Sequence, residues 1–148
     1  MDVNNEFYLE RFLDAQQDSF LTAMKELRFG KKHSHWIWYI FPQLKGLGRS
    51  ATSNIYGIQD TEEARAYFEH PILGARLREA ITAMLFHRSR KAEDILGEID
   101  AMKFKSCLTL FSLVAPHESI FADALDVFFN GERDEKTVGL LNDFEDGS

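Results

Sequence analysis

Most of the chain carries hydrophobic residues that recur every three to four positions, which is the spacing of an amphipathic α-helix. Near the N-terminus, Asn4 or Asn5 can cap a first helix. Asp18 can cap a second helix, and Gly30 is a suitable residue to stop it. The pattern therefore predicts two helices before residue 30.

Later segments show the same period together with recognisable start signals. Asp60 with Glu63 three residues further on resembles a capping box, and Pro71 suits the first turn of a helix. Asp100 can cap a further helix, and Asn130 with Gly131 can end the one after it. The predicted helices cover residues 61–69, 71–85, 100–114, 117–129 and 134–141.

Only residues 36–41, Trp-Ile-Trp-Tyr-Ile-Phe, differ from this pattern. Aromatic and β-branched residues favour a strand, but no second strand-like run exists to pair with it. A short helix that is apolar on all sides, and therefore buried, is consistent with the rest of the chain. Pro42 would end that helix, because the residue before a proline avoids the helical region. We therefore predict an all-α globule of about seven to eight helices.

The length of 148 residues predicts a single domain, residues 1–148, with a frayed acidic tail at 142–148. The only cysteine, Cys107, excludes an intramolecular disulfide. We see no secretory signal, and the longest apolar run, 36–41, is too short to span a bilayer, so a cytoplasmic location is expected. The net charge of −7 argues against binding to nucleic acid or anionic membranes. No cofactor is expected, and the oligomeric state stays open.

Charge is distributed unevenly. Residues 27–59 contain five Lys and Arg residues, two His residues and no Asp or Glu. Everything outside this acid-free segment therefore carries −12, which is −7 minus +5. A basic segment in an acidic protein indicates a place where an anionic ligand could bind.

Within the acid-free segment, the turn at residues 46–50 combines two features that suit an anion. Gly46 and Gly48 let the backbone bend and approach a ligand closely. Arg49 and Lys45 would add charge, with Arg49 as a planar cation, and a short helix that begins near Ser50 would present N–H groups. The alternative is an ordinary glycine-rich turn between two helices.

The residues before the aromatic run offer other chemistry. His35 could act as a general acid or base, or it could hydrogen-bond at the edge of the aromatic core. His33 and His35 have no further metal ligands nearby in sequence, so no metal site is predicted. Trp36 could stack on a base or sugar, although aromatic residues in a continuous run more often belong to the core. Lys103, Ser106 and Thr109 share one side of a predicted helix, which could contact a ligand or simply face solvent.

Two motifs carry a resemblance to a known family: Ser-His-Trp-Ile-Trp-Tyr-Ile-Phe-Pro-Gln at residues 34–43 and Gly-Leu-Gly-Arg-Ser at 46–50. The chain resembles a widespread bacterial family of uncharacterised proteins whose members are sometimes labelled calpastatin. The similarity runs from about residue 9 to 137 and includes residues 70–77. It implies a compact, mainly α-helical single domain. Cys107 stands where the family pattern has a second serine after Ser106.

Three functions fit these observations. The first is a small-molecule binding domain for an anionic ligand, such as a phosphorylated or nucleotide-like molecule. Its predicted contacts are Lys31, Trp36, Gln43, Gly46, Gly48, Arg49, Ser50, Lys103, Ser106 and Thr109. The second is an enzyme for the same ligand class, with His35 as general acid or base. The third is a protein-interaction module that exposes the aromatic and basic residues.

Overall fold

The computed structural model describes residues 7–146 and the side chains of residues 7–143. Within that range the chain forms nine α-helices and no β-strand, which confirms the all-α prediction. The helices are α1 Glu10–Phe29, α2 Ile37–Ile40, α3 Ala51–Tyr56, α4 Thr61–Glu69, α5 Pro71–Leu85, α6 Ala92–Leu96, α7 Glu98–Val114, α8 Ser119–Phe129 and α9 Glu135–Asp146. The suggested cap at Asn4 or Asn5 lies outside the described residues.

Several helix ends follow the local signals in the sequence. The Asp60 carboxylate accepts a hydrogen bond from the backbone N–H of Glu63 at 2.9 Å, which caps α4. Pro71 is the first residue of α5. Gly30 ends α1 in the left-handed conformation, with φ 88°, and Asn130 ends α8 in the same way, with φ 55°.

Several helix boundaries differ from the prediction, and two of the differences have a clear structural reason. One continuous helix, α1, replaces the two that were predicted, and Asp18 is exposed in its middle instead of capping a start. A continuous buried stripe, with Phe12 and Leu27 near its two ends, holds α1 in one piece. The helix α7 begins at Glu98, so Asp100 lies in its first turn and does not cap it. The short helix α6 was not predicted.

The core lies around α7, which packs against α4, α6, α8 and α9. Its aromatic side chains form close pairs with neighbouring helices. The rings of Phe104 and Phe41 lie 4.6 Å apart, and those of Phe111 and Phe121 stack at 5.6 Å. The aromatic run at 36–41 therefore supplies core residues, as the buried-helix interpretation predicts, although its helical part is only Ile37–Ile40.

The chain between α2 and α4 forms a loop that is closed by two backbone hydrogen bonds. The N–H of Lys45 donates to the carbonyl of Ile58 at 2.8 Å, and the N–H of Ile58 donates to the carbonyl of Gln43 at 2.9 Å. These bonds form an isolated parallel bridge between Leu44 and Ile58. The loop carries α3 and the glycine-rich turn, so the bridge fixes where most of the acid-free segment lies.

Candidate functional site

The first part of the acid-free segment is held in place by Glu26, which lies one residue outside it on α1. The Glu26 carboxylate accepts four hydrogen bonds: from the backbone N–H groups of His33 and Ser34, from the Ser34 hydroxyl and from the indole N–H of Trp36, at 2.5–2.9 Å. Burial by itself would raise the pKa of Glu26. The hydrogen bonds from Ser34, His33 and Trp36 outweigh that effect and lower the pKa to about 2.

Lys32 connects the same part of the chain to α7. Its ammonium group lies 2.7 Å from the carboxylate of Asp100, and both side chains are largely shielded from water. It also donates to the carbonyl of Ser34 at 2.6 Å and lies 5.0 Å from the centre of the Trp36 ring. Lys32 is therefore a structural cation whose charge is already matched.

A second anchor holds the far end of the acid-free segment. The guanidinium of Arg11 donates to the carbonyls of Ile55 and Gly57 at 2.7 and 3.1 Å, and to the carboxylate of Glu63 at 2.9 Å. Glu63 in turn accepts from the backbone N–H of Gln59 at 2.8 Å. The side chains of Arg11 and Glu63 are only 11% and 2% exposed, so this ion pair is part of the interior.

The glycine-rich turn lies at the surface between these two anchors. Gly46 has a φ of 103°, which favours glycine, and Arg49 is exposed. Ser50 caps α3 by accepting a hydrogen bond from the N–H of Ser53 at 3.1 Å. A Cβ atom added to Gly48 would lie 2.8 Å from the Cβ of Ser53. The second glycine of the turn is therefore required for close packing.

Of the predicted contacts on α7, the structure brings only Lys103 near the turn. Its ammonium group lies 4.2 Å from the centre of the Trp38 ring. The same ring approaches Gly48, because a Cβ atom there would lie 3.1 Å from Trp38 Cη2. Trp38 thus connects Lys103 to the turn, and neither tryptophan forms part of an exposed aromatic patch.

Ser106 and Thr109 have structural partners elsewhere. Both are buried. The Ser106 hydroxyl donates to the carbonyl of Met102 at 3.1 Å, one turn back on α7. The Thr109 hydroxyl donates to the carbonyl of Lys105 at 2.8 Å and accepts from the backbone N–H of Asp134 at 2.9 Å. Thr109 therefore fixes the start of α9 and does not contact the turn.

The remaining predicted contacts are divided between the surface and the interior. Lys31 and His35 are exposed in the connection between α1 and α2. Trp36 is 1% exposed and its indole N–H is bonded to Glu26, while Gln43 is 5% exposed. The predicted set therefore does not form one pocket.

A cleft of about 400 Å³ does lie between the acid-free segment and the start of α1, and the Arg11–Glu63 ion pair is part of its lining. Its lining residues are Phe7, Tyr8, Arg11, Lys45, Asn54, Ile55, Gly57, Gln59 and Glu63. Lys45 is exposed and has no ion-pair partner among the residues that the structure describes. Tyr8 is 64% exposed and has a φ of 50°, which is uncommon for a non-glycine residue.

The sequence analysis named Lys45 as a charge beside the turn, but it named no other lining residue of this cleft as a contact. The absence of acids extends to Gln59, so Asn54 and Gln59 lay within the segment that was singled out. Arg11 and Glu63 belong to α1 and α4, and only the folded chain places them beside Lys45.

Other chemistry has less support among the described residues. Residues 7–143 contain no group of three or more His, Cys, Asp or Glu side chains that could hold a metal ion. Burial raises the pKa of the Cys107 thiol well above its usual value, which disfavours a reactive thiolate. No helix in the described range is long and apolar enough to cross a membrane.

The fold and this site define an all-α protein with a basic, acid-free segment that the carboxylates of Glu26 and Glu63 hold in place. A family model described as "Protein of unknown function (DUF1810)" matches residues 6–141, so the chain belongs to that family. The structure is similar to the crystal structure of the conserved hypothetical protein Rv1873 from Mycobacterium tuberculosis, with a TM-score of 0.91 and 39% sequence identity. The similarity covers 93% of this chain and 98% of the other. No curated protein matches this chain. Neither description carries the calpastatin label.

Proposed function

We propose that this protein binds a small anionic molecule in the cleft beside Lys45. The observation that carries the proposal is the position of Lys45: an exposed cation, without an ion-pair partner in the described part of the chain, at the edge of a concave cleft. A volume of about 400 Å³ is in the range of small-molecule sites.

The charge balance of the cleft supports an anionic ligand. Glu63 is the only acid among the lining residues, and the guanidinium of Arg11 matches its charge at 2.9 Å. Lys45 therefore sets the sign of the potential that a ligand would meet. Arg49, four residues further along the same turn, is the next exposed cation.

The other lining residues suit a ligand that combines an anionic group with a flat or apolar part. Asn54 and Gln59 carry amide groups that can donate or accept hydrogen bonds. The exposed side chains of Tyr8 and Ile55 offer aromatic and aliphatic surface at the edge of the cleft. A phosphorylated or nucleotide-like molecule has this combination.

The proposal is tested by ligand-induced stabilisation. Thermal unfolding is followed with inorganic phosphate, ribose 5-phosphate and a nucleoside monophosphate as probes, for the wild type and for Lys45→Ala. We expect at least one probe to raise the Tm of the wild type, because a ligand that binds only the folded state stabilises it. Lys45→Ala should weaken that binding by about tenfold, as expected for the loss of a charge-assisted contact.

Lys91→Ala is the matched control, since Lys91 is also an exposed lysine and lies at the start of α6, away from the lining residues. It should leave the shift unchanged. If no probe raises the Tm, or if both variants lose the shift equally, the proposed site is wrong.

A further inference from the structure

The exposed side of α1 carries a self-complementary charge pattern: two copies of it match when they lie antiparallel. Asp14, Asp18, Leu21, Lys25 and Arg28 follow one another at intervals of four, three, four and three residues, so they lie along one stripe of the helix. All five are exposed. The stripe is acidic in its first half and basic in its second half, with Leu21 at its centre.

The same side of the molecule exposes large apolar side chains. Four large hydrophobic residues in the described range are more than 70% exposed, and three of them, Leu21, Phe29 and Phe86, lie on or at the ends of α1 and α5. A groove of about 420 Å³ runs between these two helices. Its lining residues are Met24, Arg28, Glu79, Thr82, Ala83 and Phe86. Clustered exposure of this kind marks an interaction surface.

We propose that this surface, α1 together with its groove against α5, is the interface of a homodimer in which the two α1 helices pack antiparallel. A two-fold axis near Leu21 places Asp14 of one copy opposite Arg28 of the other. It places Asp18 opposite Lys25 in the same way. Because a two-fold interface repeats each contact, the dimer forms both pairs twice. Leu21 of one copy then meets Leu21 of the other at the axis, about one helical turn from Met24 in the groove.

The charge pattern favours this partner over others. A parallel arrangement of two copies would place like charges together. A purely acidic peptide would be repelled by Asp14 and Asp18, which lie on the same stripe as the cations. An anionic membrane surface would meet the same repulsion, since membrane-binding helices carry Lys and Arg along the whole polar face. Arg28 already pairs with Glu79 of α5 at 3.1 Å, so the preference for an antiparallel second copy depends mainly on Asp18 and Lys25, which that arrangement brings together.

A charge exchange between positions 18 and 25 tests the arrangement. Neither Asp18 nor Lys25 has an ion-pair partner in the described part of the chain. Both lie outside the first and last turns of α1, where the helix dipole acts. The two positions are seven residues apart, about 10 Å along the helix, so their interaction within one chain is weak.

The self-association constant is measured by sedimentation velocity over a concentration series, at low and at high salt. The wild type should form a dimer that weakens with salt. Asp18→Lys and Lys25→Asp should each weaken dimerisation by roughly tenfold, because each attraction becomes a repulsion at two places. The double variant D18K/K25D should recover the wild-type constant.

Glu62→Lys is the control for net charge, because Glu62 is an exposed acid on α4 and its reversal changes the charge by the same amount as Asp18→Lys. It should not alter dimerisation. A wild type that stays monomeric, or a double variant no better than the single ones, overturns the proposal. The proposal is also overturned if Asp18→Lys and Lys25→Asp change binding to anionic lipid vesicles or to acidic peptides but do not change self-association.

Discussion

At the scale of single residues, the acid that matters most to the acid-free segment lies just outside it. Glu26 precedes the segment by one residue, and its carboxylate takes four hydrogen bonds from residues 33–36. The sequence shows the absence of acids after Leu27 but not the return of the chain, after Gly30, onto the last turns of α1. The sequence therefore shows that the segment is unusual in charge, but it does not show what holds the segment in place.

Replacing Glu26 with Gln should destabilise the protein by about 1–3 kcal/mol near neutral pH, because an amide cannot accept from all these donors. The effect should depend on pH. The pKa of Glu26 is lowered from 4.5 to about 2 in the folded state, so its contribution is complete above pH 4.5. It is lost as the pH falls from about 4.5 to 2. Urea unfolding, followed by tryptophan fluorescence at several pH values, measures the free energy of unfolding of the wild type and of Glu26→Gln.

The difference in the free energy of unfolding between wild type and Glu26→Gln should therefore shrink in acid. Glu69→Gln, an exposed change at the end of α4, should stay within about 0.5 kcal/mol of the wild type. A difference for Glu26→Gln that is constant from pH 7 to pH 3 would contradict the hydrogen-bonded carboxylate.

At the scale of elements, the sequence predicts best where the cause is local. The cap at Asp60, the proline at the start of α5 and the stop at Gly30 depend on residues within one helical turn. The division of α1 at Asp18 was wrong because a good capping residue also fits on the exposed side of a long helix. Tertiary packing of the buried stripe favours one continuous helix over two shorter ones.

The junction of α4 and α5 shows a contact that the sequence does not reveal. Gly74 lies in the interior of α5, where glycine is unfavourable, yet a Cβ atom there would lie 2.1 Å from the backbone carbonyl oxygen of Phe68. Gly74→Ala should therefore destabilise the protein by about 1–3 kcal/mol, because backbone atoms must shift. Thermal or urea unfolding measures the change.

Gly139→Ala is the opposite case on α9, because a Cβ atom at Gly139 would meet no atom within 4 Å. There the higher helix propensity of alanine should act alone and stabilise the protein by up to about 1 kcal/mol. Two variants of the same kind should thus have opposite signs. Equal effects at both positions would show that the close approach at Gly74 does not constrain the two helices.

At the scale of the whole molecule, the fold depends on contacts between distant parts of the chain. Gln16 on α1 donates to the hydroxyl of Tyr67 on α4 at 3.1 Å and accepts from Arg76 on α5 at 3.3 Å. Lys32 meets Asp100 across 68 positions of sequence. Helical periodicity predicts that these helices exist, but it carries no information on which of them meet. For this reason the all-α class could be predicted from the sequence, whereas the cleft beside Lys45 could be recognised only in the structure.

Cys107 offers a measurement of this global packing. It is 0% exposed on α7, at the centre of the core, and burial raises the pKa of its thiol. An aromatic disulfide reagent should therefore react with it only when the chain opens. For a domain stability of about 5 kcal/mol or more, labelling in native buffer should be at least about a thousandfold slower than in denaturant.

If opening is global, labelling should follow the free energy of unfolding. Gly74→Ala, which acts far from Cys107 in the chain, should then accelerate labelling by about tenfold for each 1.4 kcal/mol that it costs. Gly139→Ala should slow the reaction. Labelling that is fast in the wild type, or that ignores both substitutions, would show that α7 becomes accessible through a local opening while the remaining helices stay packed.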